Sequence, residues 1–352
     1  MSNYKQFIPE GKTIYMGIDL HKKSWHVTAI VEDEVVFSGS MPPDPEHFFK
    51  FLKRFSHNPI TVVYEAGCFG YWLHDLLMES GIECTVTPPS LVPVESGNRV
   101  KTDRRDSHKL AYLFSKGLLK EVWVPSPKQL AHRQVIRRRR QLIGDRVRVQ
   151  HRITSELRFF GIPFSKPRGQ WSTNFRRLLE AVRFEDPYQQ QSFNHLLEEY
   201  DYLCQLLKQQ TQLLEQLAAT ELYAKQVELL RTVSGIGTIT AMEILLELGD
   251  ITRFTRGEQL AAYVGLTPSQ YSSADKIRMG RITKTGRASL RRTLTEASWR
   301  AIKKDLVLLT VFENLRLRCG KKRAIIAIAR RLILRARRIL LDQKSYKLIE
   351  AA

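Results

Sequence analysis

Four acidic residues in the first third of the chain have the types and positions of a metal-binding centre. Asp19 ends an apolar Gly-Ile-Asp run, and Glu65 ends a second apolar run, Val-Val-Tyr-Glu. Asp103 and Asp106 lie three residues apart, which places them on one face of a helix's first turn. Clustered carboxylates repel each other unless divalent cations neutralise them, and hard oxygen ligands suit Mg²⁺. Two such ions roughly 4 Å apart bind the attacking and leaving oxygens of a phosphoryl transfer.

Each acid also has an ordinary structural interpretation. Asp19 suits a turn at the end of a strand, and Glu65 suits a surface position. Asp103 suits a helix N-cap, and Asp106 suits the positive end of the helix dipole. Because all four fall where one fold would gather them, the metal-binding interpretation is favoured.

A second candidate is a pair of adjacent serines, Ser272 and Ser273, in a polar segment that leads into a dense run of cations. A serine hydroxyl is a poor nucleophile until a base or a stabilising charge activates it. The lysines and arginines from Lys276 to Lys284 are suited to hold a phosphate that a serine attacks. Paired serines in a loop are otherwise common as turn or cap residues, so the residues alone leave both interpretations open.

The elements that must position the acids alternate between strands and helices. The hydrophobic pattern predicts strands over 13–19, 25–31, 34–39, 60–65 and 82–87, and helices over 45–55, 71–79 and 103–116. The order βββαβαβα is that of the ribonuclease H-like fold, which is of the α/β class. In that fold the strands ending at Asp19 and Glu65 are neighbours, so we expect their carboxylates to face each other at one edge of the sheet.

Long helical patterns replace the strands from about residue 127. They cover roughly 128–160 and, after a connection rich in Pro, Gly and Ser at 161–172, continue to about 230. Heptad spacing marks a coiled-coil seam formed by Leu196, Tyr200, Leu203, Leu207, Gln210, Leu214 and Leu217. The seam is compatible with an intramolecular helical hairpin, a contact in a dimer, or an ordinary helix that faces a core.

The last region begins near residue 230 and is predicted to be mainly α-helical. Its Gly-Ile-Gly sequence at 235–237 resembles the turn of helix-hairpin-helix modules, in which glycines let backbone amides approach a phosphate. A plain tight turn is the alternative. A helix over 240–248 and a basic helical segment over 286–341 follow. We therefore expect three domains, at 1–125, 126–230 and 231–352.

The net charge is +20, from 56 Lys+Arg and 36 Asp+Glu among 352 residues, and it is unevenly placed. Residues 1–100 carry 8 basic and 12 acidic side chains, residues 101–160 carry 16 and 5, and residues 276–338 carry 20 and 3. Basic density of this kind attracts a polyanion through counterion release. Nucleic acid is therefore the expected partner, and a solvated basic surface is the alternative.

The four cysteines are far apart and form no CxxC or Cys/His spacing. The sequence therefore predicts neither a disulfide framework nor a zinc site. It contains no signal-like run and no apolar stretch of roughly 18 residues. We expect a cytoplasmic protein with no membrane partner.

Four motifs together resemble one family of enzymes that move DNA. They are, in chain order, Gly-Ile-Asp with a following His-Lys, Glu-Ala-Gly, Lys-Thr-Asp-Arg-Arg-Asp, and a block from Gly-Leu-Thr-Pro to Lys-Thr-Gly-Arg. In this order they look like the DEDD transposases of the insertion-sequence-110 family. The resemblance covers both ends of the chain. It implies an N-terminal RuvC-like domain with an acidic tetrad and a C-terminal domain with a serine nucleophile.

The resemblance assigns catalytic roles to Asp19, Glu65, Asp103, Asp106, Ser273 and Ser272. The four acids would bind Mg²⁺, and one of the serines would form a covalent phosphoserine link with DNA. The family's serine is usually followed by Gly-Gly or a similar small pair, whereas Ala274-Asp275 stands here. We favour Ser273 because it directly precedes the small residue.

The resemblance further implies a recombinase guided by a bridge RNA that pairs with donor and target DNA, and a homo-oligomer, either dimer or tetramer. Sequence choice by base pairing fits the lack of a recognisable base-reading motif. Two other functions use the same features. A structure-specific nuclease of the Holliday-junction-resolving type would share the acids but use water as nucleophile. A non-enzymatic nucleic-acid-binding protein would use the basic helices alone.

Overall fold

The computed structural model describes residues 9–93, 102–164, 171–273 and 276–347. Lys101 of the third motif and Ala274-Asp275 after the serines lie outside the described residues. The chain divides into two compact units, Met1–Pro125 and Ser126–Ala352. A further boundary near residue 230 stays a prediction. Within the described ranges, no helix is both long and apolar enough to cross a bilayer.

A mixed five-stranded sheet forms the centre of the first unit. Its strands are β1 Ile14–Leu20, β2 Trp25–Val31, β3 Glu34–Met41, β4 Ile60–Glu65 and β5 Glu83–Thr87. Its helices are α1 Pro45–Leu52, α2 Trp72–Glu79 and α3 Asp103–Ser115. The strand order is β3-β2-β1-β4-β5, with β1, β2 and β3 antiparallel and with β4 and β5 parallel to β1. The predicted α/β class is confirmed for this part of the chain, and the ribonuclease H-like assignment stays a prediction.

The two faces of the sheet pack against different helices. On one face, Ile18 of β1 shares a buried cluster with Phe48 of α1 and with residues of α2. On the other face, Leu110 of α3 clusters with Val63 of β4. Because successive residues of a strand point to opposite faces, Asp19 points to the face that α3 covers.

Helix α3 approaches β1 so closely that only glycine fits between the two backbones. A Cβ atom at Gly17 would lie less than 3.0 Å from the Ser107 carbonyl oxygen and from the Ala111 amide nitrogen. The fully buried Ser107 hydroxyl lies 2.8 Å from both His26 Nδ1 and Thr28 Oγ1 on β2. Burial lowers the pKa of His26, so its ring is neutral at about pH 7. These contacts fix the position of α3 and hence of the acids in its first turn.

The described part of the second unit consists of helices and one two-stranded ribbon. The helices are α4 Pro127–Phe159, α5 Thr173–Glu180, α6 Pro187–Ala218, α7 Ala224–Arg231, α8 Thr238–Leu248, α9 Gly257–Val264, α10 Ala288–Ala301, α11 Leu306–Cys319 and α12 Lys321–Asp342. The ribbon pairs β6 Pro268–Ser273 with β7 Lys276–Ile282. The mainly helical character predicted for this part of the chain is confirmed.

Helices α4 and α6 pack against each other as an antiparallel pair. Tyr200, Leu207 and Leu214 of the predicted seam are buried. Gln210 Nε2 donates to the Val135 carbonyl oxygen of α4 at 3.0 Å. The heptad seam therefore faces a helix of the same chain, and the intramolecular hairpin is the alternative that the structure adopts.

Two buried glutamates of α8 join α4 to the segment that precedes α10. Glu247 accepts two hydrogen bonds from Arg137, at 3.1 and 2.9 Å, and Arg140 pairs with Glu243. Arg287 Nε lies 3.6 Å from Glu247 Oε2. Burial acts to raise the pKa of Glu247, but the surrounding guanidinium groups outweigh it and hold that pKa below its ordinary value. Burial raises the pKa of Glu243 despite Arg140. Arg137 and Arg140 therefore support the helix packing, because removing either charge would leave a buried carboxylate uncompensated.

The Gly-Ile-Gly turn between α7 and α8 is shaped by packing. Gly235 has φ of +89°, and a Cβ atom there would lie less than 3.0 Å from the Ala297 carbonyl oxygen of α10. Gly237 has no described atom within 4 Å of its Cβ position. Gly235 is therefore required by the approach of α10, and only Gly237 leaves the open backbone that a phosphate-binding hairpin needs.

We predict that Gly17→Ala destabilises the first unit by roughly 1–3 kcal/mol, because the new methyl group would displace the backbone of α3. Denaturant unfolding followed by circular dichroism measures the loss. Gly67→Ala is the matched control in the same unit, since its Cβ would meet only the Glu65 carbonyl oxygen, at 3.8 Å. Equal stability of the two variants would contradict the close packing of α3 on β1.

Candidate functional site

Asp19, His21 and Asp103 come together at the carboxyl end of β1. His21 Nε2 lies 3.2 Å from Asp19 Oδ2 and 3.4 Å from Asp103 Oδ1. One ligand atom from each of the three residues lies within 4.8 Å of the other two. Asp19 is close to the end of a strand, and Asp103 is the first residue of α3. The structure therefore gathers two of the four predicted acids around one imidazole.

Glu65 and Asp106, the other two predicted acids, lie at the same end of the sheet. Continuing the parallel register of β1 and β4 places Asp19 and Glu65 at the same level of neighbouring strands. Asp106 follows Asp103 in the first turn of α3 and is close enough to raise the pKa of Asp19. A shared role of all four acids in binding metal stays a prediction.

The electrostatics of this acidic cluster fit a divalent cation. Burial raises the pKa of Asp19, and the carboxylates of Asp103 and Asp106 raise it further, whereas His21 lowers it. A cation among these oxygens would offset both the lost hydration and the repulsion. Carboxylate oxygens suit Mg²⁺ and Mn²⁺, and imidazole nitrogen suits several other divalent metals. The donor atoms that are present therefore fit the kind of ion that the tetrad implies.

His21 was not among the site residues predicted from the sequence. It follows β1 directly, and its backbone amide donates to the Ser24 carbonyl oxygen at 3.1 Å in the turn that leads to β2. This turn keeps the ring beside Asp19. The signal that could have identified His21 is the Asp-x-His spacing at the end of a predicted strand.

The two candidate serines end strand β6 in the second unit, although the sequence suggested a loop. β6 and β7 are antiparallel, with Ser272 paired to Ile277 and Ser273 paired to Lys276. The residues of β6 from Gln270 onward are exposed. Both serines are therefore accessible at the far end of the ribbon.

Main-chain contacts anchor the base of the ribbon to α9 and α10. Gly265 and Gly286 have φ of +73° and +69°. A Cβ atom at Gly265 would lie less than 3.0 Å from the Thr285 carbonyl oxygen, and one at Gly286 would lie equally close to that of Tyr263. Arg291 Nη1 also donates to the Thr285 carbonyl oxygen at 2.6 Å. The exposed end of the ribbon is thus carried on a firmly packed base.

The two serines point to opposite faces of the ribbon, because side chains alternate along a strand. Gln270 Nε2 donates to the Ser272 hydroxyl at 2.9 Å, which places both on one face. Ser273 shares the other face with Tyr271 and with Arg278, the cross-strand partner of Tyr271. Ser273 therefore has a cation on its own face of the ribbon, and the choice between the two serines stays a prediction.

Comparison with known proteins finds transposases over both units. Residues 16–162 match the model of the IS110-type DEDD transposases, and residues 227–311 match a model described as transposase IS116/IS110/IS902 family. The Sinorhizobium fredii protein y4qE, which carries a transposase name, is 29% identical over 300 residues, covering 83% of this chain and 73% of that protein. The IS1533 transposase of Leptospira borgpetersenii is 26% identical over 294 residues, covering 82% and 85%. The IS1328 transposase of Yersinia enterocolitica is 27% identical over 297 residues, covering 80% and 82%.

We predict that Asp19→Asn raises the thermal stability of the metal-free protein and removes its stabilisation by divalent cations. A carboxyl group whose pKa is raised by folding destabilises the native state when it is ionised, and the variant removes that charge at neutral pH. Calorimetry with and without Mg²⁺ or Mn²⁺ measures both effects. Glu46→Gln, an exposed change on α1, is the control and should keep the metal response. A metal response that survives Asp19→Asn would be incompatible with the site.

Proposed function

Because the chain belongs to the IS110 family of DEDD transposases, enzymes that act on DNA, we propose that it cuts and rejoins DNA through a covalent link to Ser273. The observation that carries this proposal is the ribbon, which exposes Ser273 on the same face as the cation Arg278. A hydroxyl nucleophile needs access to the DNA backbone and a positive charge near the phosphate that it attacks. Ser273 has both.

We assign the metal-binding role to Asp19, Glu65, Asp103 and Asp106, in a domain of the ribonuclease H-like, RuvC-like type. The strand order β3-β2-β1-β4-β5 and the position of the acids at one end of the sheet support this assignment. A Mg²⁺ ion bound there would polarise the phosphate oxygens and offset negative charge in the transition state. The protein's own role is to hold the carboxylates in place. The packing of α3 on β1 does this.

In the proposed reaction, the Ser273 hydroxyl loses its proton as Oγ forms a bond to a phosphorus of the DNA backbone. The bond from that phosphorus to one deoxyribose oxygen breaks, and the oxygen takes up a proton to leave as a sugar hydroxyl. One phosphodiester is exchanged for another, so the bond energy is kept. The reverse reaction with a new sugar hydroxyl joins the exchanged strands.

A structured bridge RNA is the proposed guide that selects donor and target DNA, and the working form is a dimer or tetramer of this chain. Support for the RNA comes from the basic surface. Lys322, Arg323 and Arg331 of α12 are exposed and form no ion pair within the described residues. Cations left free in this way are available to the phosphates of a polyanion.

We predict that Ser273→Ala abolishes a covalent protein–DNA adduct, whereas Ser272→Ala retains it. The reason is that Ser273, unlike Ser272, shares its face of the ribbon with Arg278. Incubation of the protein and its copurified nucleic acid with labelled DNA and Mg²⁺, followed by a denaturing gel, detects the adduct. An adduct formed by Ser273→Ala would contradict the assignment. Cleavage that persists in the double serine variant but stops in Asp19→Asn would instead identify a hydrolytic nuclease.

We also predict that one structured noncoding RNA copurifies with the protein and is required for recombination. Base pairing with the RNA would select the DNA sequence, a task for which the sequence shows no recognisable base-reading motif. Sequencing the bound nucleic acid identifies it, and ribonuclease treatment followed by re-addition of the RNA tests the requirement. Treatment with deoxyribonuclease alone is the control. An RNA-free preparation that recombines DNA at the same rate would rule out RNA guidance.

A further inference from the structure

The ribbon face that carries Ser273 also carries an exposed aromatic ring and a cation. Tyr271 is 74% exposed, and Arg278, its cross-strand partner, is exposed as well. On the opposite face the neighbouring cross-strand pair is Gln270 with Met279. The two faces therefore differ in chemistry, although both are in contact with solvent.

Tyr271 and Arg278 contribute no ring contact or ion pair to the described part of the fold. Over residues 171–273 and 278–347, the Tyr271 ring contacts no other ring or cation, and Arg278 forms no ion pair. The strands β6 and β7 contain no acidic residue. By contrast, Arg253 lies over the rings of Phe254 and Tyr263, at 4.2 and 4.6 Å, where it contributes to packing. A ring and a cation that are both left in solvent, beside a candidate nucleophile, indicate an external partner.

We propose that Tyr271 and Arg278 hold the DNA strand beside the phosphate that Ser273 attacks. The Tyr271 ring stacks on an unpaired base, and the Arg278 guanidinium pairs with the adjacent backbone phosphate. This rests on the proposed function, since it takes Ser273 as the nucleophile. Beyond that function, it assigns DNA binding to Tyr271 and Arg278. It also requires the DNA to be single-stranded at the cleavage point.

The geometry of the ribbon suits this arrangement. Residues two apart on a strand are separated by about 7 Å, so the pair formed by Tyr271 and Arg278 lies one nucleotide's length from Ser273. Stacking on an aromatic ring tolerates every base, and arginine binds phosphate through parallel hydrogen bonds. Both contacts are independent of DNA sequence. They therefore suit a protein whose target is selected by base pairing.

The first experiment compares rates of adduct formation among full-length variants. Tyr271→Ala and Arg278→Ala should each slow the reaction about tenfold, whereas Tyr271→Phe, which keeps the ring, should stay within about twofold of the wild type. Met279→Ala is the matched control on the opposite face and should react normally. If Tyr271→Ala and Arg278→Ala both form the adduct at the wild-type rate, the proposal is overturned.

A charge-relocation variant tests whether the face matters. Arg278→Ala combined with Met279→Arg keeps the net charge but moves the guanidinium to the other face of the ribbon. We expect it to remain as slow as Arg278→Ala alone. Recovery of the wild-type rate would show that any nearby cation suffices, and this result would also overturn the proposal.

The second experiment needs no reaction. Ser273→Ala protein is irradiated with a single-stranded oligonucleotide that contains 5-bromodeoxyuridine, and the crosslinked peptide is identified by mass spectrometry. We expect crosslinks at Tyr271 that disappear in Tyr271→Ala and that are weak with the matching duplex. Crosslinks confined to other parts of the chain would contradict stacking on Tyr271.

The two experiments separate this proposal from the proposed function. If wild type forms an adduct and Ser273→Ala does not, but the ribbon variants react at the wild-type rate, only the ribbon proposal fails. If the wild type forms no adduct, the proposed function fails. Crosslinking at Tyr271 then decides whether the ribbon binds single-stranded DNA.

Discussion

The backbone-to-backbone approach of α3 to β1 is the constraint on which the candidate site depends. Only a hydrogen atom at Gly17 leaves room for the helix, and the buried Ser107 hydroxyl then ties α3 to β2. Because α3 begins at Asp103, a helix that could slide over the sheet would shift Asp103 and Asp106 relative to Asp19. The space beside one glycine thus sets the geometry of acids that come from distant parts of the chain.

A buried acid of the second unit and a partly buried acid of the first have opposite surroundings. The Glu247 carboxylate is surrounded by guanidinium groups that keep it ionised and join helices. The Asp19 carboxylate instead faces the carboxylates of Asp103 and Asp106 and one imidazole, so that burial and repulsion oppose its charge. An acid whose counter-charge is built into the protein supports the fold. One whose neighbours are also acids leaves room for an added cation, and local conflict of this kind is typical of functional sites.

Hydrophobic alternation predicted the five-stranded sheet because each of its strands has a buried face, and it therefore located Asp19 and Glu65 at strand ends. The same rule missed β6 and β7, because both faces of the ribbon are largely exposed and no apolar pattern marks them. His21 was missed because its contact with Asp103 depends on where α3 packs. The sequence pattern around Gly235 resembled a phosphate-binding turn, but the close contact of Gly235 with α10 is what requires glycine there. Contacts between distant segments leave no local signal in the sequence.

The ribbon is packed at its base and exposed at its far end, and this has a consequence for how such transposases diverge. Close backbone packing at Gly265 and Gly286 and a hydrogen bond from the Arg291 side chain to the Thr285 carbonyl oxygen hold the base, and these contacts do not involve side chains of the far end. Exposed side chains at the far end can therefore be replaced with little loss of folding stability. Natural selection can therefore vary the exposed end of the ribbon while the packed interior stays the same, so that the surface and the scaffold evolve separately.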